Sequence, residues 1–171
     1  MKLALMLALA AAPPQPARVC LTDPEAQAMV LVAMPDILRE TGRLCAARLP
    51  EASPIRRADG ALIGRYRATA DQAWPAARAA IVKLSDPAAD ILLQSDYARP
   101  LLTSIIVPLI VGRIAVRDCT TIDRLVTNLA PLPPRNIAGI VLTTLQYLKR
   151  QKAGGKATDV PDLPLCNEDG R

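Results

Sequence analysis

The chain has 171 residues, of which 51% are apolar and 22% are charged, and its formal net charge is +5. It contains no histidine, which excludes Ser-His and Cys-His nucleophile pairs and His-ligated metal sites. No recognised catalytic motif remains, so the composition favours a protein that is not an enzyme, and we expect neither a cofactor nor a metal. The modest positive charge of an exported chain also argues against a nucleic-acid partner.

The first residues are typical of a secretory signal peptide. Lys2 supplies a cationic start, residues 3–12 are apolar, and Ala8-Leu9-Ala10 supplies the small residues of a cleavage site. The apolar stretch is too short to cross a bilayer permanently. We therefore expect residues 1–12 to be a signal peptide, with cleavage after Ala10 favoured over Ala12, and no transmembrane segment once it is removed.

The composition also indicates a compartment. Arginine accounts for 16 of the 21 basic residues and alanine and proline are abundant, as in proteins of GC-rich bacterial genomes. We expect an exported bacterial protein, periplasmic or secreted, whose mature chain starts with a flexible segment at residues 13–19. A lipid anchor on Cys20 is the alternative, but Arg18 stands where such a signal needs small residues.

The four cysteines predict two disulfide bonds, because their number is even and the chain is exported. No C-x-x-C motif is present, so a redox or zinc motif is not indicated. A bond between Cys20 and Cys45 would join the ends of a predicted helix about 35 Å long, unless the helix breaks. We favour Cys45 with Cys119 and Cys20 with Cys166, while the sequence leaves the other connectivities open.

The first predicted element is a long helix. Thr22 and Glu25 form a capping-box pattern at its start, and apolar residues at helical spacing continue to Leu49. Pro35 lies inside this pattern and predicts a kink or a split.

A loop and a second helix follow. Residues 50–60 carry turn chemistry without a period, and residues 61–84 show an apolar stripe interrupted by Pro75, which again predicts a kink. Ser85-Asp86-Pro87 then starts a short helix that ends near Leu93.

Residues 101–116 are almost wholly apolar and predict a buried central helix. Only 13 residues separate Arg99 from Arg113, fewer than a membrane span needs. A strand over residues 104–111 is disfavoured by Pro108. Because a kinked apolar helix can line a cavity, we name four candidate lining residues. These are Ser104, Val107, Pro108 and Val111.

The remaining elements complete an all-α architecture. A short helix is predicted from Asp118 to Leu129, a Pro-rich connector at residues 131–134, and a final helix over residues 136–152. The sequence therefore predicts a disulfide-stapled bundle of about five or six helices, several of them kinked at prolines, in a single domain over residues 20–153. We expect residues 154–171 to be a polar tail held only by Cys166.

Polar clusters give few candidates for chemistry. Asp86 and Asp90 share one helical face but are explained as carboxylates at a helix start. An arginine-rich segment with one tyrosine is the best candidate for a surface that contacts a phosphate, a lipid headgroup or an acidic protein surface. Its members are Arg56, Arg57, Arg65, Tyr66 and Arg67.

Three functional hypotheses follow from these observations. The first is a non-catalytic helical domain that acts by protein-protein interaction in the bacterial envelope, as an adaptor, an inhibitor or a chaperone-like factor, with an unknown protein partner. The alternative is a small carrier of an apolar ligand or a lipid. The third is a carboxylate-dependent hydrolase.

Overall fold

The computed structural model describes residues 19–85, 88–158, 160 and 162–166, so the predicted signal peptide lies outside the described residues. Within these ranges the chain forms an all-α bundle of six helices and one short 3-10 turn over Val116–Asp118. The helices are α1 (Asp23–Cys45), α2 (Ala61–Leu84), α3 (Ala89–Leu93), α4 (Ala98–Val111), α5 (Cys119–Leu129) and α6 (Pro134–Ala153). In the described chain no single helix is long and apolar enough to cross a membrane. Only α4 taken together with Val116–Leu129 reaches that length and composition, as a pair bent by 85°.

Helix α1 begins at the predicted capping box. The Glu25 carboxylate accepts hydrogen bonds from the Thr22 backbone N–H at 2.8 Å and from the Thr22 hydroxyl at 2.9 Å. Lys83, in the last turn of α2, places its Nζ 2.9 Å from Glu25 Oε2. One carboxylate therefore caps α1 and ties it to the end of α2.

The prolines inside the helices do not end them. Helix α1 runs as one element through Pro35, α2 through Pro75 and α4 through Pro108. The predicted split at Pro35 is thus wrong. Helix α1 ends before Leu49, because the chain tightens into bonds that reach back only three residues, from the Ala46 N–H to the Arg43 carbonyl at 3.3 Å and from the Arg48 N–H to the Cys45 carbonyl at 2.8 Å.

The core lies between α1, α2 and α6. Helix α1 packs against α2, α4 and α6, while α2 also contacts α6. Where the three helices meet, small side chains form a seam that lets the backbones approach closely. This alanine seam consists of Ala28, Ala73, Ala77 and Ala138, beside Leu31 and Val32. A second cluster, with Leu38, Ile55, Ile63 and Ile137, surrounds the disulfide at the other end of α1.

Both favoured disulfide pairs are present. Cys45 and Cys119 are joined with their Cα atoms 5.5 Å apart, and Cys20 and Cys166 with theirs 5.0 Å apart. The first bond connects the end of α1 to the start of α5. Two disulfides are compatible with an oxidising, extracellular compartment.

The C-terminal segment is held by more than Cys166. Leu165 is buried, and the Cys166 N–H donates to the Leu21 carbonyl at 2.8 Å. Lys149, on α6, donates to the Leu163 carbonyl at 2.8 Å. The expectation that the disulfide alone holds this tail is corrected, because apolar side chains in the tail pack onto the bundle.

Helix α4 is not the buried central helix that its composition predicted. Three of its buried side chains, those of Thr103, Val107 and Val111, lie on one side. On the opposite side Leu101, Ile105 and Leu109 are 62%, 65% and 67% exposed. The arrangement of the helices around α1 explains this exposure. Helices α2 and α6 occupy the other flanks of α1, and no element in the described residues covers the outer side of α4.

Candidate functional site

An open groove of about 1100 Å³ lies between α1, α2 and α4. It forms because α4 packs mainly on α1 and leaves a gap toward α2. Each helix contributes one side-chain stripe at helical spacing, so the groove has three walls of different chemistry.

The α4 wall is mostly apolar. Ser104, Val107, Pro108 and Val111, the four residues predicted to line a cavity, all line this groove. The Ser104 hydroxyl donates to the Leu101 carbonyl at 2.7 Å, so its polar atom is satisfied within the helix. The sequence therefore located one wall of the groove, although the groove is open and its other walls carry charges.

The α2 wall combines charges with an aromatic ring. Arg67, Asp71, Trp74 and Arg78 follow one another at helical spacing and all line the groove. Asp71 forms an ion pair with Arg99 at the start of α4. The Arg78 Nε lies 3.4 Å from an oxygen of Asp90. Trp74 is the only tryptophan of the chain, so its fluorescence reports on this wall alone.

The α1 wall neutralises its own charges. Arg39 Nη2 lies 2.7 Å from Asp36 Oδ1, and Arg43 Nη1 lies 2.7 Å from Glu40 Oε1. Arg39 Nε is buried without a hydrogen bond, with Glu40 Oε1 3.5 Å away. These pairs leave no excess charge on this side of the groove.

Arg67 differs from the other arginines of the groove. It is exposed and has no ion-pair partner among the described residues, whereas the other four lining arginines all have one. The lining charge that also lacks an ion pair in the described chain is Asp96, in the segment between α3 and α4. The groove thus offers one available guanidinium on its α2 wall and one available carboxylate at its α3 end.

The structure does not assemble the predicted arginine surface. Arg56 donates to the Leu49 carbonyl at 2.7 Å, and Arg65 donates to the Ala130 carbonyl. Tyr66 is only 4% exposed and packs in the core, where burial raises the pKa of its hydroxyl. Arg65 and Arg67 lie about 200° apart around α2, because each residue turns an α-helix by about 100°. Arg57 is exposed in the loop, so only Arg67 of the five reaches the groove.

The carboxylates considered for catalysis have structural roles where the structure describes them. Asp90 binds Arg78 and accepts a hydrogen bond from Gln94, and Glu25 caps α1. Asp86 lies outside the described residues. In the portion of the chain that is described, no group of three or more Cys, Asp or Glu side chains is placed to hold a metal ion.

The α1 and α2 walls were missed by sequence reasoning. Their signal was present, because Asp36, Glu40 and Arg43 on α1 repeat at three or four residues, as do the lining residues of α2. Such polar stripes usually face solvent, and only the placement of α4 distinguishes these two from any other charged helix face.

Comparisons of the chain with protein-family models, with curated proteins and with solved structures gave no match.

Proposed function

We propose that this protein is an exported, non-catalytic binding protein that carries a single-chain anionic amphiphile, such as a fatty acid, in the groove between α1, α2 and α4. The observation that carries the proposal is the pairing of an apolar α4 wall with one available guanidinium, that of Arg67, across a groove of about 1100 Å³. Pockets that bind small molecules combine an apolar lining with a few polar groups that fix orientation; here the α4 wall supplies the apolar lining, and most charges of the other walls are paired with each other.

The chemistry of the walls assigns each part of the amphiphile a place. The acyl chain lies along Pro108 and Trp74, from which it displaces water, above the buried Val107 and Val111. The carboxylate of the amphiphile contacts Arg67. The planar guanidinium of Arg67 donates two parallel hydrogen bonds to it in a bidentate arrangement. Burying about fourteen methylenes, those of a sixteen-carbon fatty acid, is worth about 11 kcal/mol. Ordering and association offset part of this gain, so we expect a dissociation constant in the micromolar range.

The proposed compartment is the periplasm or the cell exterior of a bacterium. The predicted signal peptide at residues 1–12 and the two disulfide bonds support this location. A carrier of amphiphiles is useful there because such molecules must cross water between membranes or cells.

The protein-adaptor hypothesis loses its predicted surface. It depended on a cluster from Arg56 to Arg67, but two of these arginines bind backbone carbonyls and Tyr66 is in the core. For the carrier hypothesis, Ser104, Val107, Pro108 and Val111 line the groove, whereas the last helix, which was also expected to line the cavity, does not. For this reason the carrier is the function that we propose.

The proposal is tested by titrating a brominated fatty acid into the purified chain. Bromine quenches a tryptophan that it contacts, and Trp74 is the single tryptophan. We expect saturable quenching in the micromolar range and none with a cationic single-chain amphiphile of equal length. Absence of saturable quenching by the fatty acid would overturn the proposal.

Three variants assign the signal to the groove. Ser104→Phe fills the exposed α4 wall and is expected to weaken quenching at least tenfold. Thr127→Phe, at an exposed position of α5, is the matched control and should bind as the wild type does. Arg67→Gln should weaken binding about two- to fivefold, the range of an exposed ion pair.

A further inference from the structure

The outer side of α3 and α4 carries a continuous run of exposed aliphatic side chains. Around α4, Leu101, Ile105 and Leu109 repeat every four residues and lie within about 80° of one another. Ile106 and Ile110 extend the exposed arc beyond them. No polar side chain of α4 lies on the arc from Leu101 to Ile106, and Ser104 lies on the groove side.

Helix α3 and the residue before α4 also expose large apolar or aromatic side chains. Ile91 and Leu92 are exposed to more than 70%, and so is Tyr97, which directly precedes α4. We name this set, residues 91, 92, 97, 101, 105 and 109, the outer face. An exposed apolar patch on a soluble domain marks contact with another apolar surface.

The charges around the outer face select among possible occupants. Residues 97–117 contain three arginines and no aspartate or glutamate. Arg117 lies just past α4, and its side chain is 88% exposed, with Asp118 Oδ1 3.8 Å from its Nε. Because the chain as a whole carries a net charge of +5, two copies of it repel each other. An anionic lipid surface complements both the aliphatic residues and the flanking guanidinium groups.

We propose that the outer face docks this protein on an anionic bilayer, with α4 lying parallel to the membrane at the boundary between headgroups and acyl chains. The aliphatic side chains enter the boundary, while Arg117 meets lipid phosphates. Tyr97 sits at the end of α4, and tyrosine favours the interface between lipid and water. The groove opens beside the same helix, so docking places it next to a source of amphiphiles. Docking itself requires only the outer face and does not depend on an occupied groove.

Vesicle flotation with the full mature chain tests the proposal. The probes are vesicles of phosphatidylcholine alone and of phosphatidylcholine mixed with phosphatidylglycerol. We expect the chain to float with the mixed vesicles and at least fivefold less with the neutral ones. A wild-type chain that floats with neither would overturn the proposal.

Matched variants locate the contact. The triple variant Leu101→Gln/Ile105→Gln/Leu109→Gln is expected to lose flotation at least tenfold. The control variant Ile140→Gln/Tyr147→Gln removes two exposed apolar side chains of α6 and should float as the wild type does. Arg117→Glu should weaken binding to the mixed vesicles about fivefold and leave the neutral vesicles unaffected.

Two further outcomes distinguish docking on a bilayer from dimerisation and from the carrier function. If the wild type does not float but forms a dimer that the triple variant dissolves, the outer face binds a second copy and the proposal is wrong. Ser104→Phe should float normally even though it blocks the groove. Flotation without fatty-acid binding would therefore remove the carrier function while leaving the docking surface in place.

Discussion

The two halves of this molecule use apolar residues for opposite purposes. In the half formed by α1, α2 and α6, alanines and a few branched residues are buried in close contact, and the two disulfides tie α5 and the C-terminal segment to this half. In the half formed by α3 and α4, the larger aliphatic side chains point away from the protein. The hydrophobicity of a segment therefore predicts that it contacts an apolar surface, but it does not predict that this surface belongs to the same fold.

Side-chain size explains how the two halves arise. The alanine seam brings α1, α2 and α6 so close that no space remains among them for a helix rich in Leu and Ile. Helix α4 therefore joins the bundle through one side only, with Thr103, Val107 and Val111. Its remaining aliphatic side chains contribute little to folding and are available for binding.

The largest effect is expected from the disulfide in the packed half. Replacing both Cys45 and Cys119 with alanine removes a bond between residues 74 positions apart. On the chain-entropy account this lowers the free energy of unfolding by about 4 kcal/mol. Urea unfolding followed by Trp74 fluorescence measures the loss. A loss below about 1 kcal/mol would mean that the bond does not brace this half.

The next effect tests the closeness of packing. At Gly42 of α1 an added Cβ would come within 1.9 Å of the Ile55 carbonyl oxygen. Gly42→Ala should therefore lower the free energy of unfolding by about 2–3 kcal/mol. Gly64→Ala is the matched control, because no atom lies within 4 Å of its added Cβ. It should raise stability by about 0.5–1 kcal/mol through helix propensity, and equal effects at both sites would contradict the packing described.

A smaller effect is expected on the inner side of α4. Val107 is buried against the bundle, and Val107→Ala should cost about 1–2 kcal/mol of unfolding free energy. Thermal or urea unfolding checks the value. A neutral result would show that α4 does not pack on α1 in solution.

These predictions show what the sequence could and could not supply. The capping box, the 3.6-residue period and the geometry of disulfides located the helices and both cysteine pairs, because each acts locally or through a simple distance limit. The exposure of Leu101, Ile105 and Leu109 was not predictable, since it depends on how closely other helices pack. For the groove, the sequence indicated residues of the α4 wall only, because Pro108 interrupts an apolar run. The charged residues of α1 and α2 were identified as groove walls only from the position of α4 beside them.

The capping contact predicts a modest pH dependence. The hydrogen bond from Lys83, followed by that from the Thr22 backbone, lowers the pKa of Glu25 below its ordinary value of 4.5. Because the unfolded chain takes up this proton first, the contribution is complete above pH 4.5 and is lost as the pH falls through the lower folded value. Unfolding curves of the wild type and Glu25→Gln should therefore converge in acid. A difference between the two that stays constant from neutral pH into that range would contradict this role.

The division of the molecule into a packed half and a binding half is tested most directly by the free energy of unfolding of Leu101→Gln/Ile105→Gln/Leu109→Gln. If the outer side of α4 serves binding and not folding, urea unfolding of this variant gives a free energy within about 0.5 kcal/mol of the wild type, as for ordinary surface positions. Loss of more than about 2 kcal/mol would instead place these side chains in a core. That result would contradict the division of the molecule into a packed half and a binding half.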